Sequence, residues 1–270
     1  MKRRLRRVMA ADGRILIAAM DHPSFRDSPH EGLAAYGRTC EILRASGADA
    51  FLAPIGSIKR FADAFGPAPI IASVDTSPPI VERAVERALA VGADAVKCMV
   101  YPFSGDDSIG RAQRIAADAD RLGVPFLAEA IPGGFSRGDL RTPDAIAAGA
   151  RIVAETGADL IKTFYTGDPD SMRRVVEYAA VPVVILGGSR RDDLRGLLQS
   201  VYDAVVLAGC VGAAIGTNIW DAPDPAAVTR ALWHVIHRQA TVEEALELGA
   251  DARAGRSTTA QAEGAAQSRS

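Results

Sequence analysis

The chain has 270 residues, 48% hydrophobic and 24% charged, and its 31 basic and 33 acidic side chains leave a formal net charge of −2. That much apolar material sustains a large core without staples and excludes a mainly disordered chain. The near-neutral balance gives no global field to hold a polyanion such as nucleic acid, so any phosphate recognition must be local.

Cys40, Cys98 and Cys210 lie far apart with no C-x-x-C, which gives neither a disulfide framework nor a zinc knuckle and suits a reducing cytoplasm. The basic start, Met1 to Arg7, is not followed by a signal-peptide apolar region, and nowhere do about 18 apolar residues run unbroken. Neither export nor a membrane span is expected. One barrel-sized domain is expected over 1–250, since a single α/β barrel takes about 250 residues. Asp251 to Ser270, rich in Ala, Ser, Gln, Gly and Arg without apolar periodicity, reads as a disordered tail.

Short β-branched or apolar runs alternate with longer amphipathic segments, the pattern of a parallel sheet covered by helices. In chain order, strands are expected at Ile15–Ala19, Ala50–Pro54, Ile70–Val74, Ala93–Val100, Pro125–Glu129, Asp159–Phe164, Pro182–Leu186 and Ala213–Gly216. Helices are expected between them at Leu33–Arg44, Pro79–Val91, Ser108–Leu122, Thr142–Thr156, Pro169–Ala179 and Arg191–Val201, with a last one near Pro225–His237. A short repeat supports this reading: Gly47-Ala48-Asp49, Gly92-Ala93-Asp94 and Gly157-Ala158-Asp159 each close a helix and open a strand. Eight strand–helix units predict an α/β fold, a single (β/α)8 TIM barrel. The rival is a doubly wound open sheet, which usually carries a glycine-rich turn after its first strand; here that turn reads Met20-Asp21-His22-Pro23.

Counting from the repeat, Lys97 and Lys162 fall at the same offset on strands four and six. Alternate strands of a barrel fill the same interior layer, so the two should face each other near the C-terminal mouth. A single such lysine snorkels to solvent at a strand edge. Two in one layer favour a neutral amine, nucleophilic toward a carbonyl, and hence a Schiff base. Asp21 and Glu129, ending strands one and five, either move protons in that chemistry or balance a lysine charge. Tyr101 and Tyr165 follow strands four and six and read as rim packing.

After strand seven comes Gly187-Gly188-Ser189-Arg190, and strand eight runs into Gly216-Thr217-Asn218-Ile219-Trp220. The loops after these two strands are the usual phosphate site of a TIM barrel. Glycine lets the backbone approach the phosphate closely.

The chain resembles the class I, Schiff-base aldolases of the archaeal-type fructose-bisphosphate aldolase group, which includes tagatose-bisphosphate and sulfofructose-phosphate aldolases. The resemblance runs from about Ile15 to His237. It rests on Met20-Asp21-His22, on the segment from Asp159 to Asp168 that contains Lys162, and on the two glycine segments. It implies that Lys162 is the Schiff-base lysine and Asp21 a catalytic carboxylate. Gly187, Gly188 and Gly216 would then lie at a phosphate, with Ser189, Arg190 and Thr217 beside them. The fructose-bisphosphate type has a tyrosine before proline on strand five, where this chain has Ile131-Pro132. The tagatose-bisphosphate type has a glutamate and a lysine that Glu129 and Lys97 resemble, which assigns proton transfer to Glu129. Thr217 stands where the group has arginine in its Gly-Arg-Asn motif, and Arg190 where it has lysine; Arg190 or Arg191 would compensate.

His234 and His237 have metal-like spacing but lack a nearby third ligand and read as surface residues of the outer helix. His22 and His30 lie in the loop after strand one, where His22 orients Asp21, touches substrate or is a plain turn residue. Ser104-Gly105-Asp106-Asp107-Ser108 reads as a helix cap. No GxGxxG opens a helix after a strand, so no dinucleotide is expected, and no metal or other cofactor is needed when an iminium is the electron sink. The sequence thus predicts a cytoplasmic, homo-oligomeric class I aldolase. It would form or cleave a C–C bond in a small ketose or keto phosphate. The alternatives are a related imine-forming synthase, transferase or thiolase, and a barrel that binds a metabolite without turnover.

Overall fold

The computed structural model describes residues 2–24, 29–74, 83–188 and 193–251. Ser189, Arg190, Arg191 and the expected tail beyond Asp251 lie outside them. Eight parallel strands close into a barrel in sequence order, which excludes the open sheet. They are β1 (Ile15–Ala19), β2 (Ala50–Pro54), β3 (Ile70–Ser73), β4 (Ala95–Val100), β5 (Phe126–Ala130), β6 (Leu160–Thr163), β7 (Val183–Leu186) and β8 (Gly212–Ile215). The helices in chain order are α1 (Leu5–Val8), α2 (Tyr36–Ala45), α3 (Ile55–Arg60), α4 (Ala62–Phe65), α5 (Ala84–Ala90), α6 (Ser108–Leu122) and α7 (Pro143–Glu155). They continue with α8 (Pro169–Ala179), α9 (Leu194–Tyr202), α10 (Thr217–Trp220), α11 (Pro225–Arg238) and α12 (Val242–Ala250).

Each strand was anticipated to within two residues. The short helices α1, α3, α4 and α10 were not, because four to six residues carry too little periodicity to register, and neither was the nine-residue α12, although Thr241 and Glu244 form a capping box at its start. The expected helix Leu33–Arg44 divides into a 3-10 turn, Glu31–Leu33, and α2. Of the expected helix Pro79–Val91, the described part is α5. No helix among the described residues is long and apolar enough to cross a membrane.

The strands alternate between two apolar layers. Ile15, Ile17, Leu52, Ile71, Leu127 and Leu160 fill the barrel, while Phe51, Ala72, Val96, Phe126, Ile161 and Val183 pack against the helices. The Gly-Ala-Asp repeat sets the register at the N-terminal rim. Its glycines take φ of +107°, +82° and +102° at Gly47, Gly92 and Gly157, so they are the helix terminators expected. Its aspartates do more than enter the sheet. Asp49 accepts from the Leu16 N–H at 2.6 Å, Asp94 from Ile70 at 3.1 Å and Asp159 from Phe126 at 2.9 Å. Each carboxylate thereby fixes the first residues of the preceding strand.

Candidate active site

Polar side chains enter the barrel at its C-terminal end. Ala95, Leu127 and Leu160 point inward, so period-two alternation turns Lys97, Glu129 and Lys162 inward two residues later. The ladders pair Glu129 with Lys162 and Lys97 with Leu127. Strand tilt makes up the two-residue offset between β4 and β6. Both lysines therefore reach one carboxylate: Lys162 Nζ lies 2.7 Å from Glu129 Oε1, and Lys97 Nζ lies 3.0 Å from Glu129 Oε2. Lys97 also donates to Asp21 Oδ2 at 3.1 Å. The four residues are 0% (Lys97), 1% (Asp21), 5% (Lys162) and 7% (Glu129) exposed, so none of them snorkels into bulk water.

The electrostatics differ from the arrangement the sequence suggested. Repulsion between two amines is not the whole of it, because Glu129 stands between them and Asp21 flanks Lys97. Burial pushes the Asp21 carboxyl up, but the ammonium groups of Lys97 and Lys162, with His22, pull it down to about 2. Glu129 is likewise raised by burial and then lowered below its ordinary value by Lys162 and Lys97, against the charge of Asp21. Two cations and two carboxylates are thus enclosed together, which is how buried charges are tolerated.

The supporting contacts hold the strand ends. Trp220 Nε1 donates to the Ala19 carbonyl at 2.8 Å, and the Tyr36 hydroxyl donates to the Met20 carbonyl at 3.1 Å. These two bonds fix the backbone that carries Asp21. Thr163 Oγ1 donates to the Ala130 carbonyl at 3.0 Å, tying β6 to β5 just beyond Lys162 and Glu129. Tyr36 lies in α2 with no sequence signal of this role, and Trp220 lies inside a glycine motif read only for its phosphate.

His22, His30 and Trp220 form a triangle of edge-to-face rings with centroids 5.1 to 5.7 Å apart. His22 Nδ1 is 3.9 Å from Asp21 Oδ1, so it joins the field around that carboxylate. Gly216 is what makes room for this ring: a Cβ there would meet His22 Cε1 at 2.5 Å and the Ala19 carbonyl oxygen at 3.0 Å.

Gly187 and Gly188 follow β7, and Gly216 and Thr217 follow β8, with Asn218 Nδ2 donating to the Gly187 carbonyl at 3.0 Å across the gap. Thr217 and Asn218 also line a cavity of about 290 Å³ behind this junction, but Asp193, Asp221 and Asp224 line it too, which is hostile to an anion. Ile131, which follows β5, is 1% exposed and supplies no hydroxyl to the site.

The other candidates resolve as structural residues. The Tyr165 hydroxyl donates to Asp203 Oδ2 at 3.1 Å and Tyr101 lies 3.4 Å from the Met99 sulfur, both as rim packing. Asp106 accepts from the Ser108 N–H at 3.0 Å at the start of α6, which makes it the capping side chain of its segment. His237 corrects the surface reading: its ring is buried between Asp12, 2.8 Å from Nδ1, and Asp49, 2.9 Å from Nε2. Its partners lie at the opposite rim of the barrel and were too far away in sequence to be seen. Among the described residues no group of three or more His, Cys, Asp or Glu is arranged to hold a metal ion.

Comparison with known proteins identifies the family and the barrel fold. The model of the DeoC/LacD aldolase family matches residues 15–222. The chain is 37% identical over 256 residues to the 2-amino-3,7-dideoxy-D-threo-hept-6-ulosonate synthase of Halobacterium salinarum, covering 90% of this chain and 94% of that protein. It is 37% identical over 159 residues, 58% of each chain, to the 2-amino-4,5-dihydroxy-6-oxo-7-(phosphonooxy)heptanoate synthase of Streptomyces griseus. An archaeal fructose 1,6-bisphosphate aldolase superposes with a TM-score of 0.78 at 28% identity, over 87% of this chain and 98% of its own. A Schiff-base-forming fructose-1,6-bisphosphate aldolase does so with 0.77 at 29% identity, over 87% of this chain and 99% of its own. An eight-stranded barrel with buried lysines and carboxylates at its C-terminal end, matched over most of its length, belongs to the DeoC/LacD family of aldolases.

Proposed function

We propose that the protein is a class I aldolase whose Lys162 forms a Schiff base with the ketone of a keto phosphate. The observation that carries the reading is the buried contact of 2.7 Å between Lys162 Nζ and Glu129 Oε1. Glu129 takes a proton from the Lys162 ammonium, and the freed amine adds to the carbonyl carbon to give a carbinolamine. Glu129 returns the proton to the carbinolamine oxygen, which leaves as water and produces the iminium. Loss of the α-proton to a carboxylate, Glu129 or Asp21, gives the enamine. In the synthetic direction the enamine carbon bonds to an aldehyde carbon, and the aldehyde oxygen takes up a proton. Water then hydrolyses the iminium and restores Lys162. Lys97, held between Asp21 and Glu129, hydrogen-bonds substrate oxygens.

Bond formation is favoured over cleavage as the working direction because both sequence relatives are named as synthases. By their names, their products are seven-carbon acids that carry an amino and a keto group, one of them with a phosphonooxy group. The phosphate of the keto substrate is assigned to the backbone at Gly187, Gly188 and Gly216 with Thr217. Ser189 and Arg190, which follow Gly188 in sequence and lie outside the described residues, are assigned with them.

Borohydride with dihydroxyacetone phosphate tests it. Peptide mass spectrometry should find the reduced adduct on Lys162, and an active enzyme with Lys162 unmodified would refute the assignment.

A further inference from the structure

Ser73 is the last residue of β3, and the ladder pairs it with Lys97. Ile71, two residues earlier, belongs to the filling of the barrel, so alternation turns Ser73 inward as well. Ser73 is 2% exposed, and its hydroxyl has no hydrogen-bond partner among the described residues. Buried hydroxyls are normally paired, and each exception calls for a reason. Ser73 lines a cavity of about 440 Å³ together with Ser24, Pro54, Ile55, Lys59 and Arg87.

The charge of that cavity is one-sided. Lys59 of α3 and Arg87 of α5 are exposed, neither is ion-paired among the described residues, and no carboxylate is among the described residues of its wall. Two cations and a free hydroxyl select an anionic group. Position supplies the second half of the argument. In an eight-stranded ring β3 lies four strands from β7, which places this cavity across the mouth from the glycine loops assigned to the keto phosphate. Lys97, Glu129 and Lys162 occupy the strands between them, β4, β5 and β6.

We infer that this cavity seats the anionic end of the second, aldehyde substrate, with Ser73 donating to it at the floor and Lys59 and Arg87 holding its charge at the rim. The inference rests on the aldol reading above, since it places the aldehyde carbon against the enamine formed at Lys162. A carboxylate and a phosphate share the required chemistry.

The test is aldol condensation of dihydroxyacetone phosphate with three aldehydes: glyceraldehyde 3-phosphate, succinic semialdehyde and neutral glyceraldehyde. Wild-type enzyme should prefer one anionic aldehyde over glyceraldehyde by at least about tenfold in kcat/KM, and the preferred one tells phosphate from carboxylate. In Lys59→Ala/Arg87→Ala that ratio should fall by about tenfold or more, through KM. Ser73→Ala should lower the same ratio while raising Tm, because it removes an unpaired buried hydroxyl. A merely structural serine would not move selectivity and stability in opposite directions. No wild-type preference for an anionic aldehyde, or a ratio that neither variant moves, overturns the inference. Borohydride trapping with the keto phosphate alone separates the two readings: no adduct on Lys162 removes both, and an adduct with unmoved selectivity removes only this one.

Discussion

Lys162 and Glu129 are direct partners across the β5–β6 ladder, and their side chains close to 2.7 Å inside the barrel. The other oxygen of Glu129 is 3.0 Å from Lys97, so one carboxylate serves both amines. This makes Glu129 the electrostatic hinge of the site. It compensates the charge that would otherwise oppose burial of two ammonium groups, and it stands within one hydrogen bond of the amine proposed to lose a proton.

Glu129→Gln preserves the volume and one hydrogen bond but removes the proton acceptor. The rate of iminium formation should fall by about 10²- to 10⁴-fold. The measurement is the rate of borohydride-trapped adduct at saturating dihydroxyacetone phosphate. A variant trapped as fast as wild type would take proton transfer away from Glu129.

Lys97→Met leaves Asp21 and Glu129 buried with one cation between them instead of two. Breaking one partner out of a buried ion cluster costs about 3–5 kcal/mol, and urea unfolding at neutral pH should register a loss of that size. The Asp21 carboxyl should also rise from about 2, since Lys97 is the largest of the charges that hold it down. Stability supplied by a depressed carboxylate is present above its unfolded pKa and lost as pH falls through the folded value, so the variant should unfold at a higher pH on acidification. Unchanged acid unfolding would show that Lys97 does not set the field at Asp21.

Gly216→Ala puts a Cβ 2.5 Å from His22 Cε1 and 3.0 Å from the Ala19 carbonyl oxygen, the acceptor of Trp220 Nε1. Backbone cannot yield cheaply there, so His22 must move, and with it the ring triangle beside Asp21. The expected result is altered Trp220 fluorescence together with kcat reduced by about 10²-fold, the scale on which misplacement of about 1 Å acts on a reactive centre. Unperturbed fluorescence with normal kcat would show that the glycine serves something other than the imidazole.

The fold was legible because its signals are local and repeated. Eight apolar runs announced the strands, and Gly47, Gly92 and Gly157 marked the turns before three of them. The same periodicity aligned Lys97 with Lys162. Contacts between distant segments had no such signal. The clamps of Asp49, Asp94 and Asp159 on the preceding strands follow from barrel register, which a one-dimensional pattern does not contain. Ser73 was hidden for the same reason: a serine at a strand end is unremarkable until its hydroxyl is found buried and unpaired beside a cavity. Glu129 was expected to move protons, and its position between both amines required the third dimension.

His237 lies at the rim opposite Lys162. Its Nδ1 meets Asp12 and its Nε2 meets Asp49, so both ring nitrogens donate only when the imidazole is protonated. Burial lowers the His237 pKa, but the hydrogen bonds and charges of Asp49 and Asp12 reverse that and carry it above the ordinary value of 6.5. Trp233 stacks on the ring at 5.0 Å and adds no titrating group. A raised folded pKa gives stability that is complete below the unfolded value and is lost as pH rises through the folded one. Asp12, lowered against its own burial by the contact with His237, acts in the opposite sense and loses its share only on acidification. Wild-type protein should therefore melt lower at pH 8.5 than at pH 5.5 by more than His237→Gln does. At pH 5.5 the substitution should cost about 1.5–3 kcal/mol, the range for a hydrogen bond to a charged group. Equal pH slopes for the two proteins would mean that the imidazole does not change its charge within that window and that Asp12 and Asp49 are held by other contacts.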